Sequence, residues 1–205
     1  MKKFEYTPPE QPRELILKLG QKITDRIGHT VTAEDPEYYG LEALVTDEMA
    51  EVALKMKVRK PMTLAQIVKA TGKEEKALEE LLQEMSNIGL LEYNWENPKH
   101  EKQYVLPMYV PGSAEFFNMK LDQIKEHPEV ASFFERMAFL PLQKVTPMVP
   151  PGGAGIGMHV IPVEKAIETE NESVSVEHIS HWLDKYDGKY AAGPCSCRYS
   201  RGVLG

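Results

Sequence analysis

Cysteine is scarce in this sequence, which contains only Cys195 and Cys197 among 205 residues. Two cysteines separated by one residue cannot build the disulfide framework of a small secreted protein. The sequence also lacks any apolar run of about 18 residues, the length that a membrane-spanning helix needs. No apolar stretch follows the lysines at its start, so a secretory signal is not predicted. We therefore expect a cytoplasmic protein with reduced thiols and no membrane contact.

Motifs for nucleotide binding and for hydrolysis are missing as well. The sequence has neither the Gly-Lys-Ser/Thr of a phosphate-binding loop nor the Gly-x-Ser-x-Gly of a serine hydrolase. The glycines at 153–157 precede an apolar strand-like segment, whereas a dinucleotide-binding loop follows a strand and opens a helix. We interpret them as part of a connector. No nucleophile–base pair can be recognised in the sequence, so no catalytic residue is predicted. The 205-residue chain alone is not expected to be an enzyme.

Composition and charge indicate an acidic globular protein. Apolar residues make up 42% and charged residues 27% of the chain, and the formal net charge is −7. A chain of this length can bury a core of its own, as one large or two small domains. Because its summed field repels phosphate backbones, nucleic acid is disfavoured as a partner. Whether the chain forms a homo-oligomer is left open.

Hydrophobic periodicity predicts an α+β fold that is predominantly helical. Four regions are expected: an extended arm at 1–12, a helical and winged-helix-like domain at 13–110, a helical pair with a Pro/Gly linker at 111–157, and a truncated small α/β unit at 158–205. Helices are predicted over 13–27, 36–44, 46–56, 64–70, 74–88, 113–125, 128–139 and 175–186. Strands are predicted over 90–95, 102–106, 159–163 and 190–192. The aromatic-rich helical pair forms either core or a docking face for a further domain.

The segment 62–106 has the order helix, turn, helix, hairpin. Thr63 and Gln66 form a capping box, and Gly89 ends the second helix. The stretch TLAQIVKATGKEEKALEELLQEMSNIGLLEY resembles the winged helix of bacterial regulators. The second helix and the two residues before it carry five glutamates against two lysines, which opposes DNA binding through that helix.

Cys195-Ser196-Cys197-Arg198 is the strongest candidate site. A structural zinc ion or an iron–sulfur cluster needs about four ligands, so a Cys-x-Cys pair supplies half of a site. In an extended segment both sulfurs point to the same side, and Arg198 and Arg201 would favour the thiolate form. His178 and His181 share a helix face and could complete a zinc site with the two cysteines. The histidines at 29, 100 and 127 are assigned no role.

The segments HVIPVEKAIE and YAAGPCSCRYSRGVLG resemble a module of anaerobic bacterial redox proteins. In that family a winged-helix-like region precedes a 4Fe–4S ferredoxin-type domain, and an FAD- and NAD(P)-binding core of the pyridine nucleotide-disulfide oxidoreductase type follows. The resemblance implies that Cys195 and Cys197 are cluster ligands and that Arg198 is the adjoining motif residue. It departs from the family because no cysteine follows Cys197, so we expect a truncated N-terminal piece with an incomplete ligand set.

Three functions remain open on the sequence. The leading one is an accessory region for electron transfer in an iron–sulfur and flavin oxidoreductase, whose partners are downstream oxidoreductase domains or a redox protein. The second is a winged-helix transcriptional regulator whose cysteine pair senses metal or redox state. The third is a non-catalytic protein-interaction module.

Overall fold

A computed structural model of the chain describes residues 6–134, 179–189 and 193–204. These residues form ten helices and one small three-stranded antiparallel sheet, so the expectation of a mainly helical chain is confirmed. The helices are α1 Glu14–Ile23, α2 Pro36–Leu44, α3 Asp47–Lys55, α4 Leu64–Thr71, α5 Glu75–Ile88, α6 Ser113–Phe117, α7 Leu121–Glu126, α8 Pro128–Phe134, α9 Ile179–Lys185 and α10 Ser196–Leu204. The strands are β1 Met62–Thr63, β2 Glu92–Asn94 and β3 Gln103–Val105.

The chain divides into two compact units. One comprises Met1–Pro141 together with Pro194–Gly205, and the other comprises Leu142–Gly193. The sheet and helices α1–α8 and α10 belong to the first unit, and α9 belongs to the second. Across the described ranges no helix is both long enough and apolar enough to cross a bilayer.

The sheet joins one short strand to a hairpin. Strand β3 lies in the middle and pairs antiparallel with both β1 and β2, with Tyr104 opposite Met62 on one side and Tyr93 on the other. Helix α4 starts at the predicted capping box, where the Thr63 hydroxyl accepts from the Gln66 backbone N–H and the Gln66 side chain accepts from the Thr63 N–H. Helix α5 ends at Gly89, whose φ of 98° suits a residue without a β-carbon.

A buried ion-pair cluster holds the loop after α1 against the start of α2. Glu37 has no exposed side-chain surface, and its two carboxylate oxygens accept hydrogen bonds of 2.7 and 2.6 Å from the Arg26 guanidinium. The Thr24 hydroxyl donates to the same carboxylate at 2.7 Å. Arg26 also contacts Asp35 at 2.8 Å, and His29 lies 3.0 Å from the same Asp35 oxygen. His29, for which no role was predicted, is therefore held in this cluster by its contact with Asp35.

The core of the first unit continues from the helices around α2 into α6 and α8 through Tyr109. Its ring is buried and packs edge-on against Phe117 and Phe133. Its hydroxyl donates to the Pro36 carbonyl at 2.8 Å, and the α-carbon of Gly40 lies so close that an added β-carbon would collide with that hydroxyl. Phe117 and Phe133, the two aromatic residues that pack on Tyr109, are therefore core residues.

Several predicted boundaries are wrong. Helix α1 ends at Ile23, four residues early, and Ile27, predicted on its buried face, is fully exposed. The predicted helix 113–125 is two helices, α6 and α7, because Asn118 is buried and its side-chain amide donates to the carbonyls of Ala114 and Val130. Ala77, predicted on the buried face of α5, is exposed. Strand β1 was not predicted.

Two helix starts also differ from prediction in their capping. Asp35 precedes α2 as expected, but its side chain makes no capping bond, because it accepts instead from Arg26 and Thr32. Ser113 is the first residue of α6 and not its cap. The predicted strands at 159–163 and 190–192, the glycine connector at 153–157 and the end of the helix 128–139 lie outside the described residues.

Candidate functional site

The two cysteines lie at the start of helix α10. Pro194 precedes them. The Cys195 carbonyl accepts a hydrogen bond of 3.0 Å from the Tyr199 N–H, which makes Cys195 the N-cap of the helix that begins at Ser196. Cys197 lies in the first turn. The prediction that both cysteines occupy an extended segment is therefore wrong. Both are exposed and unpaired as thiols.

Helix α10 is anchored to the first unit by one apolar side. Tyr199, Val203 and Leu204 pack against the core cluster, and Ser200 is buried. The helix packs mainly on α8 and also contacts α7 and α6. The four-residue step from Tyr199 to Val203 is the helical spacing that brings side chains to one face. The cysteines therefore lie at the exposed N-terminal end of α10, and the apolar side of α10 packs on the first unit.

The Cys197 thiol is harder to ionise than a free cysteine. Partial burial is the largest cause of its raised pKa, and the neighbouring Cys195 raises the pKa further, against a hydrogen bond from Ser196 that lowers it. The prediction that the arginines favour a thiolate is wrong for Cys197, since its pKa moves in the opposite direction.

A cavity of about 720 Å³ lies between α10 and the α7–α8 pair. Arg198 and Lys125 bring positive charge to its lining, and Tyr199 supplies an aromatic surface. Arg198 was predicted from its position beside the cysteines. Lys125 was not, because it lies more than sixty residues earlier and only the packing of α10 on α7 brings it to the same cavity. The complete lining is Leu121, Lys125, Pro128, Arg198, Tyr199, Gly202 and Val203.

Within the described ranges, no three or more His, Cys, Asp or Glu side chains are grouped so that they could hold a metal ion. Of the predicted zinc ligands, His178 lies outside those ranges. His181 is half-buried on α9, and its ring packs edge-on against Trp182 with centroids 5.4 Å apart. The donor chemistry present at α10 is therefore two soft sulfur ligands, which suits iron–sulfur or zinc chemistry but supplies half of the usual ligand number.

Comparison with known proteins adds no assignment to this geometry. No family model, no curated protein and no solved structure matches the chain.

Proposed function

We propose that Cys195 and Cys197 supply part of an iron–sulfur site in an electron-transfer accessory region of a longer oxidoreductase. One observation carries the proposal: two exposed thiols, one residue apart, lie at the free end of a helix that is packed onto the domain. A 4Fe–4S cluster takes about four thiolates. Since Cys195 and Cys197 are the two cysteines of the sequence, the other thiolates would come from outside residues 1–205, and FAD or NAD(P) would be bound by other domains.

The residues around the cysteines are suited to holding such a group. Helix α10 would fix the two sulfurs relative to α7 and α8. Arg198, next to Cys197 in the chain, would bring positive charge near an anionic thiolate-ligated cluster, and charge is one of the factors that set its reduction potential. When bound, the cluster would supply one-electron transfer. The protein residues would position it and exclude water from one side.

We also propose that residues 47–105 form a winged helix that serves as scaffold. The order α3, β1, α4, α5, β2, β3 and the strand order β1-β3-β2 support this finer assignment. Fold alone does not assign a function. In this proposal the winged helix supports the iron–sulfur region and does not read DNA.

Anaerobic reconstitution with iron and sulfide tests the cysteine assignment. The protein to use is the chain extended by whatever follows Gly205 in its coding sequence, with iron and acid-labile sulfide measured per chain together with visible absorbance. We expect Cys195→Ser and Cys197→Ser each to lower the cluster content severalfold, because a hydroxyl is a poor substitute for a soft sulfur ligand.

His181→Ala is the matched control, since it removes a candidate zinc ligand and leaves both thiols in place. It should leave the iron and sulfide content unchanged. Full cluster content in the Cys195→Ser/Cys197→Ser double variant would refute the proposal. Zinc bound in place of iron, and lost in His181→Ala, would favour the zinc alternative.

The second candidate, a DNA-binding regulator with a sensing cysteine pair, is favoured only by the helix and strand order of residues 47–105. It requires binding to duplex DNA that weakens steeply as salt rises. A titration at low salt that shows no binding would remove it.

A further inference from the structure

Helix α5 carries an excess of negative charge, with four glutamates and one lysine among its residues. Glu80 and Glu84 are exposed, lie four residues apart on one face, and take part in none of the described ion pairs. Five other acidic side chains in the described ranges contact a lysine or an arginine, namely Glu14, Asp35, Glu37, Asp47 and Glu48. Glu80 and Glu84 differ from these five in having no cationic side chain of the described residues within ion-pair distance.

The same face has an apolar floor. Ala77 and Leu81 line a shallow groove of about 460 Å³ together with the two glutamates. Leu81 is half-buried and Ala77 is exposed, so both present carbon surface to the groove. The complete lining is Glu48, Ala77, Glu80, Leu81, Gln83, Glu84 and Asn87.

The β2–β3 hairpin extends this groove with aromatic surface. The Tyr93 hydroxyl donates to the side-chain oxygen of Gln83 at 2.8 Å, which joins the hairpin to a residue that lines the groove. Tyr93 is 39% exposed and Trp95, two residues further along the hairpin, is 52% exposed. Lys102 lies over the Tyr93 ring, with Nζ 4.5 Å from its centroid, and donates to the same Gln83 oxygen at 3.4 Å, so its charge lies at this edge of the groove.

We propose that the α5 groove and the exposed hairpin aromatics form a docking surface for a cationic, amphipathic polypeptide segment. Lysine or arginine side chains would pair with Glu80 and Glu84, and an apolar side chain would lie on Ala77 and Leu81. Trp95 would cover one end, since exposed tryptophan is among the residues that contribute most to binding at protein interfaces. This assignment is independent of the iron–sulfur proposal.

Charge complementarity selects this occupant over two others. A nucleic acid would bring phosphates to the two α5 carboxylates and would be repelled. A second copy of the chain has a formal net charge of −7 and would meet a repulsive field, so it is also a poorer fit. A basic amphipathic segment fits better, because its charges would attract the two carboxylates and its apolar side would cover the carbon surface of the groove.

Fluorescence of Trp95 reports on the surface directly. The chain has two tryptophans, so Trp182→Phe leaves Trp95 as the sole tryptophan. The probe is a synthetic amphipathic lysine–leucine peptide, and a glutamate–leucine peptide of equal length is the control. We expect saturable fluorescence change with the first peptide, weakening as salt rises, and none with the second.

Charge-neutral variants then locate the site. Glu80→Gln/Glu84→Gln in the Trp182→Phe background should weaken the peptide Kd by about tenfold. Glu10→Gln/Glu51→Gln removes the same charge from exposed positions elsewhere and should change Kd by less than about twofold. Equal weakening by the two pairs, equal binding of the acidic peptide, or tighter binding of duplex DNA would each overturn the proposal. Self-association that Glu80→Gln/Glu84→Gln strengthens would overturn it in favour of a second copy.

Discussion

Replacing Arg26 with methionine should destabilise the first unit far more than any exposed ion-pair substitution. The change removes both hydrogen bonds to the buried Glu37 carboxylate, at 2.7 and 2.6 Å, and leaves that charge with the Thr24 hydroxyl alone. Removing one partner of a buried pair typically costs about 3–5 kcal/mol, because the other charge stays buried without compensation. Since single domains are stable by about 5–15 kcal/mol, we expect a large shift in the urea midpoint.

Two further variants separate this cause from a general loss of packing. Arg26→Met/Glu37→Gln removes the buried charge together with its partner and should recover more than half of the lost stability. Lys18→Met breaks the Lys18–Glu14 pair, whose side chains are 58% and 79% exposed, and should leave the urea midpoint nearly unchanged. Urea unfolding followed by far-ultraviolet circular dichroism at neutral pH measures all three. If Arg26→Met is no more destabilising than Lys18→Met, the cluster does not stabilise the fold as argued.

Two other predictions concern the same region of the core. Burial on its own raises the pKa of Asp35, but hydrogen bonds from Thr32, Arg26 and His29 outweigh it and bring the pKa down to about 2. The carboxylate therefore stabilises the fold above its unfolded pKa of 3.8, and about 2 kcal/mol should be lost as pH falls from about 4 to 2, which urea unfolding across that range would detect and Asp35→Asn would abolish. Gly40→Ala should cost about 1–3 kcal/mol, because its β-carbon would collide with the Tyr109 hydroxyl. The same change in a Tyr109→Phe background should cost less, and equal costs in thermal unfolding would contradict the collision.

The sequence predicts helix ends correctly where they depend on residues close together in the chain. The capping box at Thr63 and the glycine at position 89 each involve neighbours within four residues, so the sequence carries the whole pattern. Ile27 continues the apolar spacing of α1, yet the helix ends at Ile23, and Arg26 in the following loop pairs with Glu37 on α2. This pairing is a tertiary contact, which hydrophobic periodicity does not predict.

The candidate site shows the same division. The spacing of the cysteines and Arg198 makes them a candidate site, but it does not predict the helix that presents them, because Gly-Pro favours an extended segment after it. The Tyr199–Val203 spacing is a helical signal, though two turns are too short to outweigh that interpretation. Lys125 lines the same cavity as Arg198 only through the contact of α10 with α7, which no local pattern predicts.

Helix α10 belongs to the first unit, although the whole second unit precedes it in the chain, and this bears on changes of length in the second unit. Residues 142–193 are a length of chain inserted between two parts of one compact body, with both of its ends tied to that body. Cys195 and Cys197 keep their place through the contact of α10 with α8, which lies within the first unit. A change of length within residues 142–193 that leaves this contact intact should therefore leave the two thiols where they are.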